Sequence, residues 1–186
     1  MAIIKDGSGT GNTLRINEEN RADVESVTRS ITQHINEKYE KHFSLSFEDI
    51  DPTGADDYFF YYKNTGLKNI HFTKFRFNTT VAGSVEIRSV TGTPSYTSEA
   101  AVTPVNRSFG SSQSVTAIIN TDANITGLAN AGTAIKLRLD TVNKDYTDDA
   151  PSHIILPPGQ ALALLWDTST GAITGTIDIY EDQGVT

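Results

Sequence analysis

The chain has 186 residues, a formal net charge of -8 at pH 7, 37% apolar residues and no cysteine. This length suits one domain with a sizeable core plus an appendage, because domains average roughly 150 residues. The acidic balance argues against nucleic-acid binding, which needs clustered Lys and Arg. The lack of cysteine excludes disulfides and thiolate metal sites. Since the sequence has no signal-peptide core and no run of about 20 apolar residues, we expect a soluble protein that neither enters a membrane nor follows the general secretory route.

The first 21 residues are polar and rich in glycine, with Gly7, Gly9 and Gly11 separated by Ser8 and Thr10. Such a segment cannot bury enough surface to fold alone. We therefore predict an extended N-terminal arm over residues 1–21, either flexible or ordered by a neighbouring subunit. The remaining residues, 22–186, are predicted to form one β domain.

One short helix is predicted near the start of that domain. Apolar residues recur there at three- and four-residue steps, at Val24, Val27, Ile31, Ile35 and Tyr39. The β-branched content before residue 32 suits an extended chain equally well. Because Ser30 and Gln33 have capping-box spacing, we place the helix at about residues 31–40, after an extended approach.

Alternating apolar and polar residues dominate from residue 43 onward and predict strands. The predicted strands cover residues 43–47, 58–63, 67–77, 84–90, 115–119, 134–142, 161–166 and 173–179. The alternation changes phase at Thr73 or Lys74, which indicates a β-bulge or a strand that switches sheets. Short strands bounded by Gly and Pro favour a mainly β fold, with a single β-sandwich or jelly-roll-like domain.

Residues 154–180 are predicted to be a β-hairpin that closes this sandwich. Pro157, Pro158 and Gly159 suit a type II turn, because proline fixes φ and glycine supplies a positive φ. The apolar run at 161–166 indicates a strand covered on both faces. The polar residues 167–171 have the composition of a hairpin loop.

A long stretch rich in Ser, Thr, Pro and Gly occupies residues 91–114. Loops of this length in a compact domain usually bind a partner or pack on a neighbour. We therefore expect residues 91–114 to be a contact surface.

The clearest metal-like pattern is an acidic stretch containing Asp49, Asp51, Thr53 and Gly54. Its spacing resembles the start of an EF-hand loop, but the twelfth position is Phe60 and lacks the closing carboxylate. We expect a solvated turn here, and the sequence leaves open whether the turn binds calcium weakly.

Enzymatic chemistry is not expected. Gly11 is followed by Asn12, so the glycine run lacks the Lys of a phosphate-binding loop. The four histidines are scattered, and no GxSxG elbow is present. We therefore predict no catalytic residue, no resident metal and no cofactor.

Five short stretches are spread along nearly the whole chain: IIKDGSGTG at 3–11, ENR at 19–21, TPVNRSFGSS at 103–112, LPPGQ at 156–160 and GTIDIYED at 175–182. In this order and spacing they resemble small virion structural proteins of tailed bacteriophages, of the capsid-decoration or the tail and neck accessory type. The resemblance implies a non-enzymatic β-sandwich subunit present in many copies, with an N-terminal arm that reaches across neighbours.

This resemblance predicts a multicopy decoration or cement subunit of the virion, assembled in the host cytoplasm. Its expected partners are copies of itself, as a trimer or dimer, and major capsid or tail proteins, but neither nucleic acid nor membrane. We expect contacts at Ile3, Ile4, Lys5, Gly7, Gly9, Gly11, Arg15, Thr103, Pro104, Asn106, Arg107 and Phe109.

Two alternatives stay open. The subunit could belong to the neck, tail or baseplate. It could also be a carbohydrate-binding β-sandwich of a host-recognition structure, in which Tyr58, Tyr61 and Tyr62 would stack on sugars. Core packing on one face and subunit contact on the other is the simpler interpretation of these aromatic residues.

Overall fold

The computed structural model of the protein describes residues 4–5, 13–14, 35–36, 38–139, 141–142, 145–148, 154–168 and 171–182. The chain divides into two compact units, residues 1–30 and 31–186. In the first unit, strand β1 (Ile4–Lys5) pairs antiparallel with β2 (Thr13–Leu14). The other residues of the predicted arm lie outside the described residues.

The second unit consists mainly of β-strands, as the alternating sequence predicts. In chain order they are β3 (His42–Ile50), β4 (Asp57–Asn64), β5 (Ile70–Thr79), β6 (Gly83–Ser95), β7 (Ala100–Ala101), β8 (Val105–Asn106), β9 (Ala117–Asn130), β10 (Ile135–Leu139), β11 (Tyr146–Asp148), β12 (Ile154–Leu156), β13 (Ala161–Trp166) and β14 (Ile173–Glu181). Residues 35–36 and 38–39 are helical, within the range predicted for the helix. Glu40 donates its N–H to the Asn36 carbonyl at 3.1 Å and has a φ of 54°. The helix ends there.

The strands of the second unit form two antiparallel sheets. The first sheet has the order β10-β6-β13-β4-β9-β7. The second has the order β11-β5-β14-β3-β8, and β12 also pairs with β5. β13 and β14 are therefore central strands of different sheets.

Four strands of the first sheet form a closed ring, a small barrel, because the end of β6 also pairs with β9. These closing pairs run from Val90↔Asn130 to Ser95↔Thr126. The ring β6-β13-β4-β9 is filled by a small apolar cluster that includes Ala161, Ala163 and Tyr61. The alanines of β13 suit this position, because a barrel of few strands has a narrow interior. The mainly β prediction is confirmed, whereas this closure does not confirm a simple sandwich or jelly roll.

The main core draws apolar side chains from both sheets. Phe47 of β3 places its ring centroid 5.9 Å from Phe59 and 5.6 Å from Phe60, both on β4 of the other sheet. Trp166, at the end of β13, is fully buried in the same cluster. Full burial of each such side chain contributes roughly 1.5–3 kcal/mol.

The predicted change of phase in β5 is a β-bulge. Lys74 lies opposite Asp178, whereas Phe72 lies opposite Ile179, so Thr73 is the extra residue. The bulge returns Phe72 and Phe75 to the same core, where both are fully buried. The Thr73 hydroxyl donates to the backbone carbonyl of Asp178 at 3.1 Å.

The predicted hairpin over residues 154–180 is wrong. β13 pairs with β4 and β6, whereas β14 pairs with β3 and β5. β13 is buried at all six residues because one face meets the main core and the other fills the small barrel. The turn before β13 has the predicted features, with Gly159 at φ 78° and a 3.2 Å bond from the Gln160 N–H to the Pro157 carbonyl.

The stretch predicted as one loop, residues 91–114, is partly strand. β6 continues to Ser95, and β7 and β8 each add a two-residue edge strand. The extension of β6 is required by the barrel, since these residues form its closing pairs with β9. The loop proper is therefore shorter than predicted.

Candidate interaction site

The predicted contact residues at 103–109 lie on a segment that crosses between the two sheets. β7 is the edge strand of the first sheet and β8 is the edge strand of the second. Thr103 is exposed and Pro104 is half-buried in the crossing between them. Val102 is buried and donates its N–H to the Ile119 carbonyl at 2.9 Å. The segment is thus tied to both sheets by backbone pairing.

Asn106 fixes the loop that follows β8. Its side-chain amide donates to the carbonyls of Glu40 at 2.7 Å and Gln113 at 3.2 Å. Its side-chain oxygen accepts the Ser108 N–H at 2.8 Å, as in an Asx turn. One asparagine therefore joins the start of the loop, the end of the loop and the residue that precedes β3 by two positions.

Arg107 binds a buried carboxylate on the outer face of the second sheet. Its Nη1 lies 2.9 Å from Oδ2 of Asp178, whose side chain is 5% exposed. Arg76 Nη2 approaches the same oxygen at 3.3 Å. The Ser44 hydroxyl donates to Oδ1 of Asp178 at 2.6 Å. Two guanidinium groups and one hydroxyl thus satisfy a carboxylate that could not be buried alone.

His42 lies beside this cluster, opposite Tyr180 on β14. Burial lowers the pKa of His42, and the nearby positive charge of Arg107 lowers it further, against a smaller opposing effect of Asp178. The imidazole is therefore held in its neutral form near neutral pH.

Phe109 extends from the anchored loop and is 90% exposed. Val105 on the same segment is 51% exposed. Both are large apolar side chains that contact with a partner would remove from water. Five of the predicted contact residues, Thr103, Pro104, Asn106, Arg107 and Phe109, therefore share one surface segment, which we call the β8 segment (residues 103–109).

The predicted contacts of the arm belong to the first unit of the chain. Ile4 and Lys5 form β1. Ile3, Gly7, Gly9, Gly11 and Arg15 lie outside the described residues.

The acidic stretch after β3 is organised by hydrogen bonds within the protein. Oδ2 of Asp57 accepts the Thr53 hydroxyl at 2.9 Å and the Gly54 N–H at 2.6 Å. Oδ1 of Asp51 accepts the Gly171 N–H at 3.1 Å. Within the described ranges, no group of three or more His, Cys, Asp or Glu residues is placed to hold a metal ion.

The aromatic residues considered for sugar stacking are largely internal. Tyr62 and Trp166 are fully buried and belong to the main core, and Tyr61, at 2% exposure, belongs to the barrel core. Tyr58 is half-buried against that same cluster. One face of β4 therefore packs in the main core, as predicted. The other face, on which a subunit contact was expected, packs in the barrel core.

Sequence reasoning missed Ser44, Arg76 and Asp178. The alternation of β14 places Asp178 on the polar face, but nothing in that pattern indicates that the carboxylate is buried. Because its partners come from β3, β5 and the β8 segment, the cluster depends on strand order, which local patterns do not contain.

Among the residues that the structure describes, no helix is long and apolar enough to cross a membrane. No family model, curated protein or solved structure matches this chain.

Proposed function

We propose that this chain is a non-enzymatic structural subunit of a tailed-bacteriophage particle. Its specific role in this proposal is that of a multicopy decoration or cement protein, which binds the capsid or neighbouring copies. Assembly takes place in the host cytoplasm, and the mature location is the virion. The five sequence stretches that resemble small virion proteins support this assignment.

We also infer that the two sheets pack face to face as a β-sandwich with a small barrel built into one sheet. One apolar cluster shared by both sheets supports this arrangement. Such a body offers rigid edges from which loops project to contact neighbours.

The observation that carries the proposal is the exposed Phe109 on a firmly anchored loop. The ion pair of Arg107 with Asp178 and the three hydrogen bonds of Asn106 hold the β8 segment in one conformation. A pre-ordered loop loses little conformational entropy when a partner covers it. Phe109 at 90% exposure then gains most of its burial on association.

The test has two stages. First, the copy number of the chain in purified particles is measured by quantitative mass spectrometry, and many copies per particle are expected. Second, particles that lack the chain are incubated with the purified full chain or with the variant Phe109→Ser. The variant should bind at least about tenfold more weakly, because an interface anchor of this kind contributes about 2 kcal/mol or more.

Leu67→Ser is the matched control, since Leu67 is also an exposed apolar residue, at 95%, but lies outside the β8 segment. It should bind like the unaltered chain. If the chain is absent from purified particles, the proposed function is wrong. If Phe109→Ser and Leu67→Ser bind equally well, the β8 segment is not the contact.

A further inference from the structure

Two arginines share one carboxylate on the outer face of the second sheet, so the charges of this cluster do not cancel. Arg76 reaches Asp178 from β5, and Arg107 reaches it from the opposite side, across β3. Both guanidinium groups approach the same atom, Oδ2 of Asp178, at 3.3 Å and 2.9 Å. The group at Oδ1 is the neutral hydroxyl of Ser44. The cluster therefore carries a surplus of one positive charge.

Both guanidinium groups keep donors that a ligand can use. A guanidinium group has five N–H donors. Among the described residues, the side chain of Arg76 contacts Asp178 through Nη2, and that of Arg107 contacts Asp178 and Ser44 through Nη1. The side chains of Arg76 and Arg107 are 39% and 42% exposed, whereas that of Asp178 is 5% exposed. An incoming group therefore meets the two arginines before it meets the carboxylate.

The neighbouring groups leave this surplus in place. Thr176, which lies opposite Arg76 on the same face, is neutral. The nearest acidic residue along β14 is Glu181, and it already forms an ion pair with Lys41 at 3.0 Å. In the part of the chain that the structure describes, Asp178 is the carboxylate that pairs with the two arginines, and no second one joins it.

His42, beside the cluster, responds to the sign of this charge. Burial lowers the pKa of His42 most, and Arg107 lowers the pKa more strongly than Asp178 raises it. The positive charge of Arg107 is therefore only partly balanced by its partner.

The size of the surplus indicates the class of ligand. One carboxylate supplies the single negative charge that balances the cluster, and guanidinium groups bind carboxylates through charge-assisted hydrogen bonds. The whole chain has a formal net charge of -8, so polyanions such as nucleic acid or an anionic membrane are repelled at long range. A single carboxylate on a protein partner is repelled much less.

We propose that Arg76 and Arg107 together bind a carboxylate of the protein that contacts the β8 segment. This inference rests on the proposed function, because Arg107 belongs to the β8 segment and lies two residues before the proposed anchor Phe109. Arginine and aromatic residues are enriched in protein interfaces. The partner surface therefore presents an Asp or Glu side chain beside the apolar site that receives Phe109, and the contact extends onto β5 through Arg76.

The first experiment uses acetate as the probe and needs no particles. The full chain is titrated with sodium acetate at constant ionic strength, with chloride as the balancing anion, and the arginine Nε–H signals are followed by NMR. We expect saturable shifts of the signals of Arg76 and Arg107. Inorganic phosphate is titrated in parallel and should bind no more tightly than acetate.

Variants of Arg76 test the surplus charge without releasing the loop, because the ion pair of Arg107 with Asp178 remains. Arg76→Gln should weaken acetate binding by about tenfold, whereas Arg76→Lys, which keeps the charge, should bind acetate more tightly than Arg76→Gln. Lys63→Gln is the matched control, since it removes the same charge from β4 of the first sheet. It should bind acetate like the unaltered chain.

The second experiment measures binding of the full chain to particles that lack it. Arg76→Gln should bind at least about tenfold more weakly than Lys63→Gln. The proposal is overturned if acetate leaves the two arginine signals unchanged, if phosphate binds more tightly than acetate, or if Arg76→Gln binds acetate as tightly as the control. Equal binding of the two variants to particles would also overturn it. If the chain is absent from purified particles, the virion role is wrong, and the acetate titration still decides whether the carboxylate site exists.

Discussion

Arg107 and Asp178 form an ion pair of 2.9 Å across the outer face of the second sheet. Arg107 follows the edge strand β8, whereas Asp178 lies on β14, and β3 runs between these two strands. The guanidinium group therefore reaches over β3, where it also donates to the Ser44 hydroxyl at 3.3 Å. This pair couples the conformation of the β8 segment to the centre of the sheet.

Replacing Asp178 by Asn should lower the free energy of unfolding by about 1–3 kcal/mol, because a charged acceptor of several hydrogen bonds is lost at a buried position. Urea denaturation at neutral pH measures the change. Asp56→Asn is the control, since Asp56 is exposed and its φ of 63° suits Asn as well. A change at Asp178→Asn no larger than in this control would show that the cluster does not stabilise the fold.

The stability of the protein should fall as the pH is lowered from neutral, in part because of His42. Its pKa is lower in the folded state than the usual 6.5, through burial and then the charge of Arg107. As the pH falls, His42 of the unfolded chain therefore takes up its proton at a higher pH than His42 of the folded chain. The stability contributed by neutral His42 is complete above about pH 6.5 and is lost as the pH falls through the folded pKa.

His42→Asn should flatten this part of the stability curve, as measured by urea denaturation from about pH 7.5 to about pH 5, a range that includes the ordinary histidine pKa of about 6.5. An NMR titration of the His42 ring follows the same group directly. A midpoint at or above the ordinary value would contradict the expectation.

Much of the strand content was predictable because half-buried strands carry a period of two. β3, β14 and the bulge at Thr73 follow from alternation and from a break in it. The sheet to which each strand belongs was not predictable in this way. Residues 161–166 are apolar throughout, and this pattern is the same whether the second apolar face meets a neighbouring subunit or a small barrel in the same chain.

The candidate site was predictable only in part. The composition of residues 91–114 indicated a contact surface, and Arg107 and Phe109 were among the contacts expected there. Local patterns do not, however, pair an arginine with a carboxylate on a distant strand. Asp178 appears in the sequence as one polar residue among several on an alternating strand. Its burial arises from the neighbouring strands β3 and β5 and from the β8 segment, which come together only in the folded sheet.

The charge cluster of Glu86, Arg88 and Lys136 gives a second pH dependence. The hydrogen bond from Arg88 lowers the pKa of Glu86, and burial opposes it by raising that pKa. Lys136 lowers the pKa further, so the net shift is downward. A carboxyl group whose pKa is lowered by folding stabilises the protein above its unfolded pKa of about 4.3, and this contribution disappears as the pH falls through the folded pKa.

Glu86→Gln should therefore be less stable than the unaltered chain at neutral pH, and the difference should narrow in the acid range. Thermal unfolding at a series of pH values measures this narrowing. In a chain that already carries Arg88→Gln, the same substitution should have a smaller pH-dependent effect, because the main partner is gone. Equal pH profiles in both backgrounds would show that Arg88 does not set the pKa of Glu86.

Gly175 on β14 provides the sharpest test of core packing. A Cβ atom at this position would lie 2.5 Å from Cζ of Phe47 and 2.9 Å from Cδ1 of Phe77. Both rings are held in the main core, so neither can move away without disturbing its neighbours. Gly175→Ala should lower the free energy of unfolding by about 1–3 kcal/mol through overpacking.

Gly132→Ala is the matched control, since a Cβ atom there meets nothing within 4 Å. Urea denaturation of both variants should give a clear loss at Gly175 and little change at Gly132. If the two variants are equally stable, the close packing of Phe47 and Phe77 against β14 is not what holds the second sheet to the core.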